Sequence, residues 1–82
     1  MEQYYVSFRS VTYAQKGQRA LEEKGQSCFL QRAPKWMNMR GCGYAIAVKD
    51  PGMAARILRE KKAPWEKIYG VQGSRIWEVP EL

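Results

Sequence analysis

The 82-residue sequence contains no histidine, and this absence removes several classes of chemistry. Ser-His-Asp and Cys-His nucleophile pairs need an imidazole as general base, and mixed zinc sites draw on its nitrogens. The eight acidic residues show no metal-loop spacing, and no glycine-rich phosphate loop follows a predicted strand. We therefore expect no metal, no cofactor and no independent hydrolytic or phosphoryl-transfer activity. Binding or cysteine chemistry remains, which suits a carrier or accessory protein better than an enzyme.

Long apolar runs are also missing, since none approaches the roughly 20 residues that cross a bilayer. The opening residues, Met-Glu-Gln-Tyr, do not resemble a signal peptide. We therefore expect a cytoplasmic protein with reduced thiols and no membrane partner. The apolar share of 45% and the charged share of 27% are typical of a globular domain. A net charge of +6, from scattered basic residues, favours anionic partners without selecting one.

Hydrophobic periodicity and turn residues predict six elements in the order β-α-β-β-α-β. Ser10 or Thr12 can cap the first helix, and Asp50 followed by Pro51 begins the second. This order predicts an α+β, ferredoxin-like sandwich with a four-stranded antiparallel sheet and two helices on one face. Strands are expected over residues 4–8, 28–32, 43–48 and 65–71, helices over residues 12–24 and 51–63, and a loop over residues 33–41.

The chain is expected to form one domain over residues 1–73. Residues 74–82 then form a C-terminal tail, separated by Gly70 and Gly73. Its apolar residues Ile76, Trp77 and Val79 can pair or dock, so the tail is a candidate extra strand.

The predicted topology brings Cys42 to the point where the first strand leads into the first helix, because the third strand starts beside the end of the first. A helix N-terminus and nearby cations lower the pKa of a cysteine and favour its thiolate. We therefore expect Cys42 to be the reactive group. The alternative is a small buried apolar side chain, as free cysteines often are. The expected binding residues around Cys42 are Arg9, Ser10, Arg40, Gly41 and Gly43.

Cys28 is expected to have a different role. It begins the second strand and should pair near Val48, about five strand residues, or roughly 16 Å, from Cys42. A disulfide needs Cα atoms within about 7 Å, so we expect no disulfide between the two cysteines. Cys28 is therefore interpreted as core packing.

The Cys-Gly element at Cys42, followed by alternating apolar residues, resembles that of the Se/S carrier protein-like family. The opening strand, the helix ending Leu-Glu-Glu-Lys-Gly and the proline-containing loop are also similar to this family, over about residues 3–71. The resemblance implies a carrier that holds sulfur or selenium on Cys42 as a persulfide or selenopersulfide. Two departures are a loop about one residue longer than usual and its apolar content.

Those apolar loop residues, Trp36, Met37 and Met39, are candidates for a docking surface for a partner such as a cysteine desulfurase. The alternative is that they simply cover the end of the sheet. Arg9 and Arg40 are candidates for stabilising the terminal sulfur anion. The alternative is that both are ordinary solvated surface residues.

An RNA-binding or protein-interaction module without cysteine chemistry is the alternative function. Residues 40–47 partly match the RNA-recognition signature. That route stacks bases on aromatics of the open sheet face, and Cys42 and Ala47 occupy two of the three aromatic positions. Tyr44 is expected to face the helices. Nucleic acid is therefore the less favoured partner.

The open face is nevertheless expected to carry an aromatic patch of Tyr5, Phe29 and Tyr69. Such a patch would serve a homodimer or a partner protein equally well. A third hypothesis is that the chain is a ligand-binding regulatory domain, but no cluster of ligand-contacting residues in the sequence supports it.

Overall fold

The structure is a computed structural model that describes residues 3–38 and 43–80. The described elements are five strands, two long helices and one single-turn helix. In chain order they are β1 (Gln3–Phe8), α1 (Val11–Glu23), β2 (Cys28–Arg32), α2 (Lys35–Asn38), β3 (Tyr44–Val48), α3 (Pro51–Glu60), β4 (Ile68–Gln72) and β5 (Arg75–Val79).

Both long helices begin after a predicted cap, α3 after Asp50 and α1 after Ser10, so the alternative cap Thr12 is wrong. The Ser10 hydroxyl accepts a hydrogen bond from the Tyr13 N–H at 3.3 Å, and the Asp50 carboxylate accepts one from the Met53 N–H at 3.0 Å. Each cap satisfies an amide that has no partner within its helix. α1 ends at Glu23 and Lys24 is its C-cap; Gly25 follows with a φ of +72°, which allows the left-handed turn that closes a helix. Local sequence signals therefore fix both helix starts and this helix end.

The sheet has five antiparallel strands in the order β2-β3-β1-β4-β5. The α+β class is confirmed, whereas the expected count of four strands is wrong. β5 pairs with β4 from Gln72 opposite Arg75 to Ile68 opposite Val79. A two-residue turn joins them, and Gly73 at φ +61° permits its tight geometry. β4 itself begins at Ile68, later than predicted.

α1 and α3 pack on one face of the sheet and close the main core. The closest approach is at Gly17 of α1, where a Cβ would lie 2.8 Å from Cζ of Phe8. Glycine is therefore needed for the helix to lie this near the sheet. The buried core residues are Val6, Phe8, Ala14, Ala20, Leu21, Ile46, Val48, Ala54, Ala55, Ile57, Leu58, Ala63 and Ile68.

A second, smaller cluster lies on the opposite face of the sheet. It contains buried Ala33, Ala45 and Tyr69, with Tyr5 and Trp36 packed against them. Trp36 comes from α2, so the segment expected to be a plain loop contains a helical turn whose side chain covers part of the open face. In the described ranges, no helix is both long and apolar enough to cross a membrane.

Candidate functional site

The site lies at the end of the sheet where β1 leads into α1. Tyr44, the first residue of β3, is paired with Phe8, the last residue of β1. It is also paired with Arg32, the last residue of β2. The Ala33 N–H donates to the Gly43 carbonyl at 3.2 Å and extends this pairing by one step. The start of β3 therefore lies beside the end of β1, as the sequence predicted.

Several predicted site residues fall outside the described part of the chain. These are Met39, Arg40, Gly41 and Cys42, so the reactivity of Cys42 stays a prediction. Gly43 is the described residue next to Cys42. A Cβ on Gly43 would meet no described atom within 4 Å, so the space beside its Cα is open among these residues.

Ser10 is the N-cap of α1 at this same end of the sheet. The first turn of α1 contains no acidic residue, so its own side chains leave the partial positive charge of the helix terminus uncompensated. The Ser10 oxygen accepts from the Tyr13 N–H, and its hydroxyl proton is still available to another acceptor. This corner of the fold therefore favours a negative charge.

Arg9 lies next to Ser10 and forms an ion pair that the sequence did not predict. Its Nε donates to Oε1 of Glu66. Glu66 is held beside β1 because its backbone N–H donates to the Ser7 carbonyl at 2.8 Å. The Arg9 side chain is 78% exposed, so solvent screens the pair. Glu66 therefore balances part of the Arg9 charge, and the role of Arg9 beside Cys42 stays a prediction.

Arg32 is a cation at the same end of the sheet that sequence reasoning missed. It is exposed, ends β2 and lies opposite Tyr44 in the register. It makes no ion pair with any residue in ranges 3–38 and 43–80. Its position just before the connection to β3 could have predicted this location, since both ends of a connection between antiparallel strands lie at the same end of the sheet.

Trp36 covers the open sheet face instead of standing free. Its ring lies edge-on to Tyr69 at a centroid distance of 5.1 Å and to Tyr5 at 6.4 Å. Trp36 is half-buried, and Tyr69 is only 4% exposed. Met37 belongs to α2, but its side chain is outside the described residues. Trp36 therefore covers part of the open sheet face, and docking of a partner at this segment stays a prediction.

The same contacts bear on the RNA-binding alternative. Of the three aromatics expected on the open face, Phe29 is 64% exposed, whereas Tyr5 and Tyr69 lie against Trp36. Tyr44 packs against the helix-side core, as predicted. Base stacking needs accessible aromatic faces, so Trp36 would have to move before Tyr5 and Tyr69 could serve as a platform.

Cys28 lies at the other end of the β2–β3 pair, opposite Val48, where the sequence predicted it. It is a free thiol packed against the helix-side core, and its Sγ is 3.8 Å from the Gln18 carbonyl oxygen. Burial, and to a smaller extent the charge of Glu22, raises the pKa of Cys28. A raised pKa lowers the thiolate fraction of Cys28 near neutral pH, and its contacts are those of a packing residue.

The described residues contain no group of three or more histidine, cysteine, aspartate or glutamate side chains arranged to hold a metal ion. The functional groups near the end of β1 are backbone amides, the Ser10 hydroxyl and arginine side chains, and one of these arginines, Arg9, is paired with the Glu66 carboxylate. Such a set stabilises an anion such as a thiolate or the terminal atom of a persulfide.

Comparison with known families gives a match over most of the chain. The model of the family described as "Putative Se/S carrier protein-like" matches residues 3–70. The chain belongs to this family. The match begins with β1 and ends inside β4, so it includes both long helices and the connection that carries Cys42. No curated protein and no solved structure matches the chain significantly.

Proposed function

We propose that the chain is a sulfur or selenium carrier that holds a persulfide or selenopersulfide on Cys42 and passes it to a partner protein. One support is membership of a family named for such carriage. The observation that carries the proposal is the pairing of Tyr44 with Phe8, because it brings Gly43 to the sheet end where α1 begins. The peptide bond to Gly43 keeps the Cα of Cys42 within about 3.8 Å of the Gly43 Cα.

The surroundings of Gly43 supply what a reactive sulfur anion needs. The N-terminus of α1 has no acidic residue in its first turn, and Arg32 and Arg9 lie at the same end of the sheet. A helix N-terminus and adjacent cations lower the pKa of a cysteine, which raises its thiolate fraction near neutral pH. Together with Arg40, which precedes Cys42 by two residues in the sequence, they would stabilise the terminal anion of a bound persulfide.

The transfer needs no external oxidant or reductant. The Cys42 thiolate attacks the outer sulfur of a donor persulfide and forms a new S–S bond. The donor S–S bond breaks, its electron pair leaves with the inner sulfur as a thiolate, and Cys42 now carries the terminal sulfur. Attack by an acceptor thiolate on that terminal sulfur releases Cys42 unchanged. A cysteine desulfurase, which forms a persulfide on its own cysteine, is the class of donor that suits this step.

A carrier also needs a loaded sulfur that no second thiol of its own chain discharges. Cys28 lies opposite Val48, at the far end of β3 from Gly43. Five residues of strand span roughly 16 Å, which is beyond disulfide reach.

We also infer that β1 to β4, with α1 and α3, form a ferredoxin-like unit to which β5 adds an outer strand.

The test is loading of Cys42 with sulfur. Cys28→Ser, which leaves Cys42 as the sole thiol, and its matched partner Cys42→Ser are each incubated with inorganic polysulfide, or with a cysteine desulfurase and cysteine. Intact mass spectrometry then reports added sulfur. We expect one added sulfur atom on Cys28→Ser, removed by a reductant, and none on Cys42→Ser.

The alkylation rate of Cys42 gives a second measurement. An activated thiol reacts faster near neutral pH than the cysteine of an unstructured peptide. Equal sulfur loading of the two variants, or a Cys42 that reacts no faster than the peptide thiol, would contradict the proposal.

A further inference from the structure

The connection between β2 and β3 is attached to the sheet at two described places. Its base is closed by the hydrogen bond from the Ala33 N–H to the Gly43 carbonyl. Its second attachment is Trp36, whose ring packs edge-on against Tyr5 and Tyr69. Cys42 follows Trp36 and immediately precedes Gly43 in this same connection.

The attachment at Trp36 is made by ring contacts. Among the described residues, the Trp36 side chain makes no hydrogen bond. The Tyr69 hydroxyl beneath it is buried and has no hydrogen-bond partner in the same part of the chain. A single helical turn such as α2 is not stable by itself in water. The contacts of the Trp36 ring with Tyr5 and Tyr69 therefore contribute to the position of α2 on the sheet.

We propose that Trp36 is a positioning residue that holds the β2–β3 connection against the open sheet face and thereby sets the reactivity of Cys42. This inference rests on the proposed function, since it assigns a role to Cys42. Trp36 itself does not need to touch sulfur. Its effect passes along the connection, which is fixed at Trp36 on one side of Cys42 and at Gly43 on the other.

The experiment measures two properties of Trp36→Ala in a Cys28→Ser background. The first is the pH dependence of Cys42 alkylation, and the second is hydrogen exchange of the Ala33 amide. We expect the midpoint of the alkylation profile to move toward that of a free thiol. The rate at neutral pH should fall about threefold for each pH unit of that movement, because higher nucleophilicity offsets part of the lost thiolate. Exchange of the Ala33 amide should become about tenfold faster.

Two further variants separate positioning from general destabilisation. Trp36→Phe keeps a ring in contact with the tyrosines and should restore most of the parent profile. Tyr69→Phe keeps its ring contact with Trp36 and removes only the unpartnered hydroxyl, so both properties should stay at the parent values. If Trp36→Ala does not fold, Trp36→Leu takes its place, because it removes the ring contacts and keeps an apolar side chain.

An alkylation midpoint that stays at the parent value when the ring is removed would overturn the positioning role. That result differs from failure of the proposed function, in which the parent Cys42 itself reacts no faster than a peptide thiol. In that case the exchange rate of the Ala33 amide in Trp36→Ala still decides whether Trp36 holds the connection. An unchanged rate would show that it does not.

Discussion

The Arg9 guanidinium donates from Nε to Oε1 of Glu66, so the cation that precedes the N-cap of α1 in sequence is paired with a carboxylate from the segment leading into β4. The pair balances charge at the sheet end where a sulfur anion is proposed. Arg32, at the same end, makes no ion pair with a described residue. The two arginines are therefore expected to affect Cys42 differently.

Glu66→Gln should speed alkylation of Cys42. The substitution removes a negative charge and frees Arg9, and both changes favour the thiolate. We expect a rate increase of about two- to threefold at low ionic strength, decreasing with added salt because exposed charges are screened. Arg32→Gln should slow the reaction by a similar factor. Because Arg32 is exposed and Glu66 pairs with the exposed Arg9, unfolding free energies should change by less than about 1 kcal/mol. A salt-independent rate change would contradict this electrostatic explanation.

Cys28 should react slowly and should make stability depend on alkaline pH. Burial raises its pKa above the ordinary value of 9.0, so its thiol stays protonated in the folded chain where the unfolded chain has begun to ionise. The stabilisation is fully present below the unfolded pKa and is lost as pH rises through the folded pKa. Urea titrations from pH 8 upward should show this decline, and the share due to Cys28 should disappear in Cys28→Ala. In Cys42→Ser, Cys28 should alkylate more slowly than a peptide thiol.

Gly70→Ala should destabilise the fold, because a Cβ at Gly70 would overlap the indole ring of Trp77 on β5. The ring packs across the paired strands and contacts Tyr4 edge-on, at a centroid distance of 6.3 Å. Overpacking of this kind costs about 1–3 kcal/mol. Gly52→Ala is the matched control, since its Cβ would meet only the Asp50 carboxylate at 3.6 Å. This control should be neutral or stabilising by up to about 1 kcal/mol, since alanine favours a helix. Equal urea midpoints for the two variants would contradict the packing argument.

Lys62→Gly should stabilise the protein. Lys62 follows the C-cap of α3 with φ +56°, a left-handed conformation that costs a residue with a Cβ about 1–2 kcal/mol. The hydrogen bond from the Ala63 N–H to the Leu58 carbonyl, at 2.8 Å, keeps the turn in this conformation. Part of the gain is lost to the greater freedom of glycine in the unfolded chain, so we expect a net increase of about 0.5–1 kcal/mol. Gly25→Ala, at the equivalent position after α1, should lower stability by about 1 kcal/mol, and thermal unfolding measures both.

Several residues have structural roles that differ from those predicted from the sequence. Gly73 and Ser74 form the two-residue turn that makes the tail an outer strand, and this dipeptide is a known hairpin signal that could have raised the strand count to five. No local sequence pattern indicated the contacts of Trp36, because its partners Tyr5 and Tyr69 are distant from it in sequence. The two tyrosines lie side by side only because β1 pairs with β4. The same holds for Glu66, which meets Arg9 only because β4 lies beside β1.

The sequence alone determined the features that depend on neighbours along the chain. These are the caps at Ser10 and Asp50, the turn at Gly25 and the alternation that makes β3 a strand with Tyr44 facing the core. Tertiary structure alone decided that Trp36 covers the open face and that Arg9 pairs with Glu66, whereas Arg32 makes no ion pair within residues 3–38 and 43–80. The physical reason is range: capping and periodicity act within a few residues, whereas ring packing and ion pairs form between groups that only the completed sheet brings together.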